Sequence, residues 1–222
     1  MAPFTIEYVL VLIGAFLLSL FLTPIVRFIA FRVGAVDNPN ARRVNEVPMP
    51  SSGGLAIFIS FLISALILMP RVLKEPIWTT SYFDYILPVV IGGLIITTIG
   101  FIDDIYELKP KTKMAGIILG AVVVWAFTDF RFDSFKIPFG GPLLEFNSVI
   151  TFFLTVFWII SITNAMNLID GLDGLVSGVS IISLVTMALV SYFFLPQTDF
   201  YLTLTILLLI ACIAGFFPYN YN

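Results

Sequence analysis

The sequence predicts an all-α fold, a polytopic integral membrane bundle of about seven transmembrane helices. Three observations carry this expectation. Of 222 residues, 59% are hydrophobic and only 11% charged, whereas soluble domains carry about 25% charged residues; mean hydropathy is +1.06. The apolar residues fall in long runs with Gly, Pro and Ser inside them, which suits spanning helices better than amphipathic surface helices. The polar residues collect in a few islands between the runs, where they escape the cost of unsatisfied groups facing lipid. One membrane domain is expected over residues 1–222, without internal repeats or a soluble domain.

The same composition excludes several chemistries. The chain has no His, so it offers neither a His–metal site nor a His base. Its single Cys, Cys212, lies in an apolar run and is read as a small buried filler, unable to form an intrachain disulfide. The net charge of −3 is uninformative because the charges are few and localised.

A spanning helix needs roughly 20 largely apolar residues. The first run, about 6–31, has no basic segment before it and no small-residue cleavage pattern, and reads as a first spanning helix. The first island follows, Gly34 to Gly54. Asp37-Asn38-Pro39 is turn chemistry. Arg42 and Arg43 offer phosphate contacts, and Ser51-Ser52-Gly53-Gly54 opens the next run, where exposed N–H groups favour anions. A solvated loop supplying positive charge at one membrane face explains the same residues.

The second run is about 54–70, and the loop after it holds Trp78, Tyr82 and Phe83, read as interface anchors. The third run, about 84–102, ends in the second island, Phe101 to Lys113. Adjacent carboxylates Asp103 and Asp104 at a low-dielectric boundary repel each other unless a cation neutralises them or one is partly protonated. A hard divalent ion would serve, bound through one or two carboxylates and substrate phosphates, and proton abstraction is an alternative task. Lys109, Lys111 and Lys113 follow at once. The alternative is a polar helix end whose acids and lysines neutralise one another.

The fourth run, about 114–128, leads to a loop from Asp129 to Asn147. Gly140-Gly141 between two short apolar stretches is a hairpin signal, weakened by the flanking prolines; a plain loop is the alternative. The fifth run, about 147–163, ends in the third island, Asn164 to Gly174, which packs two Asn, two Asp and two Gly into one stretch. Asn164, Asn167 and Asp170 share a face if the helix continues, and Asp173 joins them only if Gly171 does not break it. Such a stripe offers oxygen ligands to a hard cation and hydrogen-bond acceptors to a base or sugar. A helix–helix polar contact with a Gly-rich turn is the alternative. Runs at about 175–195 and 200–217 complete the chain.

Orientation follows from Lys and Arg. The segments after the odd-numbered runs carry seven (Arg27, Arg32, Arg42, Arg43, Lys109, Lys111, Lys113) against four on the other side (Arg71, Lys74, Arg131, Lys136). All three islands are therefore expected in the cytoplasm and the N-terminus outside.

Taken together, G-A-V-D-N-P-N-A-R-R with P-M-P-S-S-G-G-L-A-I-F, then G-F-I-D-D, then N-A-M-N-L-I-D-G-L-D-G-L resemble the polyprenyl-phosphate N-acetylhexosamine-1-phosphate transferases, in particular the branch using UDP-N-acetylglucosamine. The resemblance implies attack of undecaprenyl phosphate on the β-phosphorus of a UDP-amino sugar, with Mg2+ (Mn2+ as an alternative) required and UMP released, to start a cell-wall or surface glycopolymer such as teichoic acid. It implies Asp103 as proton acceptor and Asp104 in positioning or metal binding. It further implies Asn167 at the metal, Asp173 with the backbone near Leu168 and Gly171 against uracil, Asp170 in support, and Lys111 and Lys113 on phosphate. The implied partners are a UDP-N-acetylhexosamine, undecaprenyl phosphate and the bilayer of a bacterial cell membrane, with a homodimer left open and no nucleic acid. The family commonly has His near Asn45, Arg near Ser51 and Asp at Glu107, so charge is removed from this pocket. The resemblance covers the first two thirds of such proteins, whose further G-D loop supplies a metal ligand. A transporter with Asp103, Asp104, Asp170 and Asp173 along an ion path, and an inactive form of such a transferase, are the competing readings.

Overall fold

The computed structural model describes residues 5–37, 49–51, 53–73, 80–170, 173–194 and 200–221. Seven helices in it are long and apolar enough to cross a membrane. They are α1 (Ile6–Val33), α2 (Gly53–Leu73), α3 (Thr80–Tyr106), α4 (Pro110–Phe127), α5 (Ser148–Ile169), α6 (Leu175–Phe194) and α7 (Phe200–Asn220). Two short antiparallel ribbons accompany them: β1 (Val36–Asp37) with β2 (Met49–Pro50), and β3 (Ser134–Lys136) with β4 (Leu143–Glu145). The chain is a multi-pass membrane protein.

Two helices outrun their apolar runs. α3 continues to Tyr106, so Asp103 and Asp104 sit in its last turn, and α5 continues to Ile169, so Asn164 and Asn167 are helical. Polar side chains at a helix end do not disturb its backbone bonds, so the helix stops later than the hydropathy does. α4 starts four residues earlier than its run because Pro110 stands at the first helical position, where its missing N–H costs nothing.

α1 packs chiefly on α7 and α2, α7 on α6, and α3 on α4, which in turn carries α5; α5 and α6 touch only slightly. The core joins α1, α2, α3 and α7 through residues such as Val11, Phe61, Met69, Ile86, Leu208 and Cys212. Cys212 is fully buried filler. Elsewhere the helices present apolar surface outward: only 17% of the most apolar window of α5 is buried. Lipid is the solvent such a surface requires.

α2 shows how one residue shapes a helix. Pro70 has no N–H and its ring would strike the carbonyl four residues back. The helix widens to a π-turn over Ser64–Leu68, where the Met69 N–H donates to the Ser64 carbonyl. Ala65 would then look to the N–H of residue 70, which does not exist. The Tyr82 hydroxyl, from α3, donates to the Ala65 carbonyl instead, at 3.0 Å. Tyr82 is therefore core, 1% exposed, and Phe83 packs against the same cluster. This corrects the reading of Tyr82 as an interface anchor: the carbonyl orphaned by Pro70 draws the phenol inward. Trp78 lies outside the described residues.

The hairpin signal between α4 and α5 is a real hairpin. Phe135 pairs with Leu144 and Lys136 with Leu143. The turn centres on Phe139 (φ 61°) and Gly140 (φ 88°), one residue earlier than the glycine pair suggested. Two successive positive φ values match the right-handed twist of a hairpin. Pro138 and Pro142 are tolerated because the closing bond runs from the Ile137 N–H to the Pro142 carbonyl.

α3 and α4 approach closely through small residues. A Cβ on Gly92 would lie 3.1 Å from the Gly120 carbonyl, and one on Gly120 would lie 3.0 Å from the Gly92 carbonyl. Gly116, one turn from Gly120, faces Ile99 with equally little room. This small-xxx-small stripe sets the spacing of the two helices that carry the second island.

Candidate active site

The three polar islands meet at the bundle end where α3 and α5 finish and α2 and α4 begin. A cleft of about 220 Å³ lies there. Its walls include Ser51 and Gly54 from the first island, Phe101, Asp104 and Lys113 from the second, and Asn167 and Asp170 from the third.

The first wall is set by the end of α1. Gly34 adopts the left-handed conformation (φ 81°) and closes the helix, and β1 then pairs with β2. Ser51 donates to the Ala35 carbonyl with both its N–H (3.3 Å) and its hydroxyl (3.2 Å). The entry into α2, with Gly54 in its first turn, is thereby tied to α1. Arg42 and Arg43 lie outside the described residues.

The second wall is the α3–α4 turn. Glu107 stands at φ 47° and its N–H bonds the Asp103 carbonyl at 2.8 Å, ending α3. The Asp103 carboxylate accepts from the Leu108 N–H at 3.0 Å through Oδ1 and pairs with Lys113 Nζ at 2.7 Å through Oδ2. Asp103 thus binds the turn together and is not among the cleft-lining residues, whereas its neighbour Asp104 is. Consecutive helical residues point about 100° apart, which separates the two acids. Lys113, held by Asp103, lines the cleft; Lys111 is exposed outside it.

The third wall is the end of α5. Its cleft-facing stripe is Thr163, Asn167 and Asp170, at the four-and-three spacing of one helical face. Asn164 instead turns away and donates to the Ile160 carbonyl at 2.8 Å. This corrects the stripe read from sequence, which began at Asn164. The helix stops at Ile169 with Asp170 as its cap, so Asp173 does not continue the face; it sits exposed in the turn before α6. Leu168 is 88% exposed and outside the cleft, and Gly171 lies outside the described residues. Beside this turn, Gly174 (φ 69°) packs against Tyr221, and Ser177 donates to Asn220 at 2.8 Å, joining α6 to the end of α7.

Thr97, Gly100 and Thr163 also line the cleft and were not singled out in the sequence. Their signal is register: Thr97 and Gly100 stand seven and four residues before Asp104, and Thr163 four before Asn167. Among the described residues no group of three His, Cys, Asp or Glu side chains could hold a metal ion. Asp104, Asp170 and Asn167 nevertheless line the same cleft and offer it side-chain oxygens. That fits a hard cation which takes one or two carboxylates and completes its shell with substrate phosphates and water.

Comparison with known proteins assigns the family. The sequence model of the family described as glycosyl transferase family 4 matches residues 86–222. The chain is 38% identical over 217 residues to the probable undecaprenyl-phosphate N-acetylglucosaminyl 1-phosphate transferase of Bacillus subtilis (strain 168), covering 98% of this chain and 56% of that protein. It is 31% identical over 226 residues to the decaprenyl-phosphate N-acetylglucosaminephosphotransferase of Mycobacterium leprae (strain TN), covering 97% and 55%. It is 29% identical over 222 residues to the phospho-N-acetylmuramoyl-pentapeptide-transferase of Streptococcus agalactiae serotype III (strain NEM316), covering 94% and 63%. The chain therefore spans between 55% and 63% of the length of these relatives. With the family match over more than half its residues, including the second and third islands, the chain belongs to glycosyl transferase family 4.

Proposed function

We propose that the protein transfers a sugar 1-phosphate, N-acetylglucosamine 1-phosphate by analogy with its relatives, from a UDP-sugar to undecaprenyl phosphate, starting a cell-wall or surface glycopolymer. The observation that carries this reading is the single cleft in which Asp104, Lys113, Asn167 and Asp170 converge from separate elements at one end of a membrane bundle. A lipid phosphate can reach such a place from the bilayer and a nucleotide from water. The Lys and Arg asymmetry supports placing this end in the cytoplasm of a bacterial cell and the N-terminus outside.

In the reaction, an oxygen of the lipid phosphate attacks the β-phosphorus, the bond from that phosphorus to the bridging oxygen breaks, and UMP leaves with the electron pair. Attack of one anion on another needs positive charge. Asp104, Asn167 and Asp170 would hold Mg2+, which when bound neutralises phosphate oxygens. Lys113 supplies charge from the protein itself. Asp103 lies outside the cleft lining and is paired with Lys113, so it would accept the proton of the lipid phosphate only once the ammonium turns from it to an incoming phosphate. By the family resemblance, Asp173 with the backbone near Leu168 and Gly171 would contact the uracil beyond the edge of the cleft, and Lys111, Arg42 and Arg43 would meet the phosphates of the anionic substrates.

The reading is tested by adding UDP-N-acetylglucosamine and undecaprenyl phosphate to membranes containing the protein. Mg2+-dependent UMP release that disappears in Asp104→Asn is the expected result, and undiminished turnover in that variant would remove the cleft from the reaction. Ion flux through proteoliposomes without UMP release would favour the transport reading instead. That reading sits poorly with a cleft at the bundle end, since transport sites lie near the midplane.

A further inference from the structure

The β3–β4 hairpin lies at the opposite end of the bundle from the cleft and has no part in the proposed reaction. Phe135 and Leu144 pair on one face of the ribbon, with Ile137 continuing it, while Ser134, Lys136, Leu143 and Glu145 fall on the other, so one face is wholly apolar and the other mixed. Neither face is covered by protein: Phe135 is 54% exposed and Leu144 43%. Phe139 at the turn is completely exposed. An isolated two-stranded ribbon with a bare apolar face is marginal in water.

The root of the hairpin shows where it rests. The Phe132 N–H donates to Thr155 Oγ1 at 3.2 Å, and Thr151 Oγ1 donates to the Phe132 carbonyl at 3.3 Å. Thr155 is seven residues into α5 from Ser148, about 10 Å along a helix axis. The segment entering the hairpin is therefore drawn down beside the first two turns of a spanning helix. The Phe132 ring continues outward onto Trp158, at 5.5 Å between centroids, and Trp158 is itself on the lipid-facing side of α5. The apolar face of the hairpin is thus continuous with the lipid-facing belt of the bundle.

We propose that the hairpin is an interfacial anchor whose apolar face and Phe139 sit in the headgroup–acyl boundary of the leaflet opposite the cleft. The partner is the phospholipid surface itself, recognised through apolar depth and not through charge. From Asp129 to Asn147 there are two basic residues (Arg131, Lys136) and three acidic ones (Asp129, Asp133, Glu145), so anionic lipid gains nothing. Phe and Leu are side chains that interfacial segments bury at this depth of the bilayer.

Spin labels on single cysteines test this in the whole chain, with Cys212→Ala as the background. Phe139→Cys, Leu144→Cys and Lys136→Cys are each labelled after reconstitution into phosphatidylcholine vesicles, with and without phosphatidylglycerol. Labels at 139 and 144 are expected to collide preferentially with oxygen, which partitions into lipid, and the label at 136 with a water-soluble nickel chelate, alike in both lipid mixtures. Equal nickel accessibility at all three positions would overturn the proposal, since the hairpin would then stand in water. Labels at 139 and 144 immobilised and closed to both reagents would also overturn it, because protein, such as a second copy of the chain, would then cover the face. Spin–spin broadening would identify that copy.

Discussion

Asp103 and Asp104 are neighbours in the chain and have different surroundings. Asp103 spends its carboxylate on the Leu108 N–H and on Lys113, while Asp104 faces the cleft. Asp103→Asn keeps an oxygen for the Leu108 N–H and loses only the ion pair with Lys113. The pair is partly exposed, so thermal stability should fall by no more than about 1 kcal/mol. UMP release should nevertheless fall by about 10²–10⁴-fold if this carboxylate is the proton acceptor; comparing melting with turnover in the same preparation separates the two effects. A second residue-scale expectation concerns Tyr82. Tyr82→Phe leaves the Ala65 carbonyl without its hydroxyl donor at a buried site, costing about 1–3 kcal/mol. In a Pro70→Ala background the helix regains an N–H for that region, and the cost of Tyr82→Phe should shrink by at least about 0.5 kcal/mol. Equal costs in both backgrounds, read from unfolding in detergent, would separate the π-turn from the tyrosine.

The pair α3 and α4 acts as one element because its glycines leave no gap to fill. Gly120→Ala would push a methyl against the Gly92 carbonyl and Ile96. Overpacking of this kind costs about 1–3 kcal/mol. Because the pair carries Asp104 and Lys113 on separate helices, the variant should also weaken UMP binding, measurable by titration calorimetry; unchanged binding would show that the turn alone holds the site. At this scale the sequence was a good guide to existence and a poorer one to ends. Seven runs foretold seven helices, yet α3 and α5 continue past their apolar residues, since backbone hydrogen bonding, unlike hydropathy, does not stop at the first Asp or Asn. The same lateness moved the polar stripe of α5. Thr163, Asn167 and Asp170 face the cleft, and Asn164, which spacing placed on the same face, satisfies itself on its own helix.

At the scale of the molecule, alternating helices put the turns after α1, α3 and α5 at one end, and the cleft gathers one island from each. Topology is directly measurable. With Cys212→Ala as background, Lys136→Cys should react with a membrane-impermeant maleimide on intact cells and Lys111→Cys only after permeabilisation; the reverse pattern would invert the bundle and place the cleft outside. The weak contact between α5 and α6 leaves long apolar faces outward, Phe153 and Phe157 among them, each about two-thirds exposed. Their solvent is lipid, and the hairpin beside α5 extends that surface.

The sequence by itself determined the solvent, the helix count and the residue types at the site, because the cost of polar groups in hydrocarbon forces charges into a few islands. The Gly140-Gly141 pair between two short apolar stretches also marked the hairpin. Only the tertiary structure decided which member of each polar pair faces inward: Asp104 and not Asp103, Asn167 and not Asn164. Adjacent or near-adjacent residues differ in direction by a rotation about the helix axis, and that rotation is set by packing across helices, through Gly92 on Gly120, Lys113 on Asp103 and Tyr82 on Ala65. The glycine and tyrosine contacts join separate segments and no local pattern records them, whereas the Lys113–Asp103 pair is the mutual neutralisation of acids and lysines that the second island already offered as a reading.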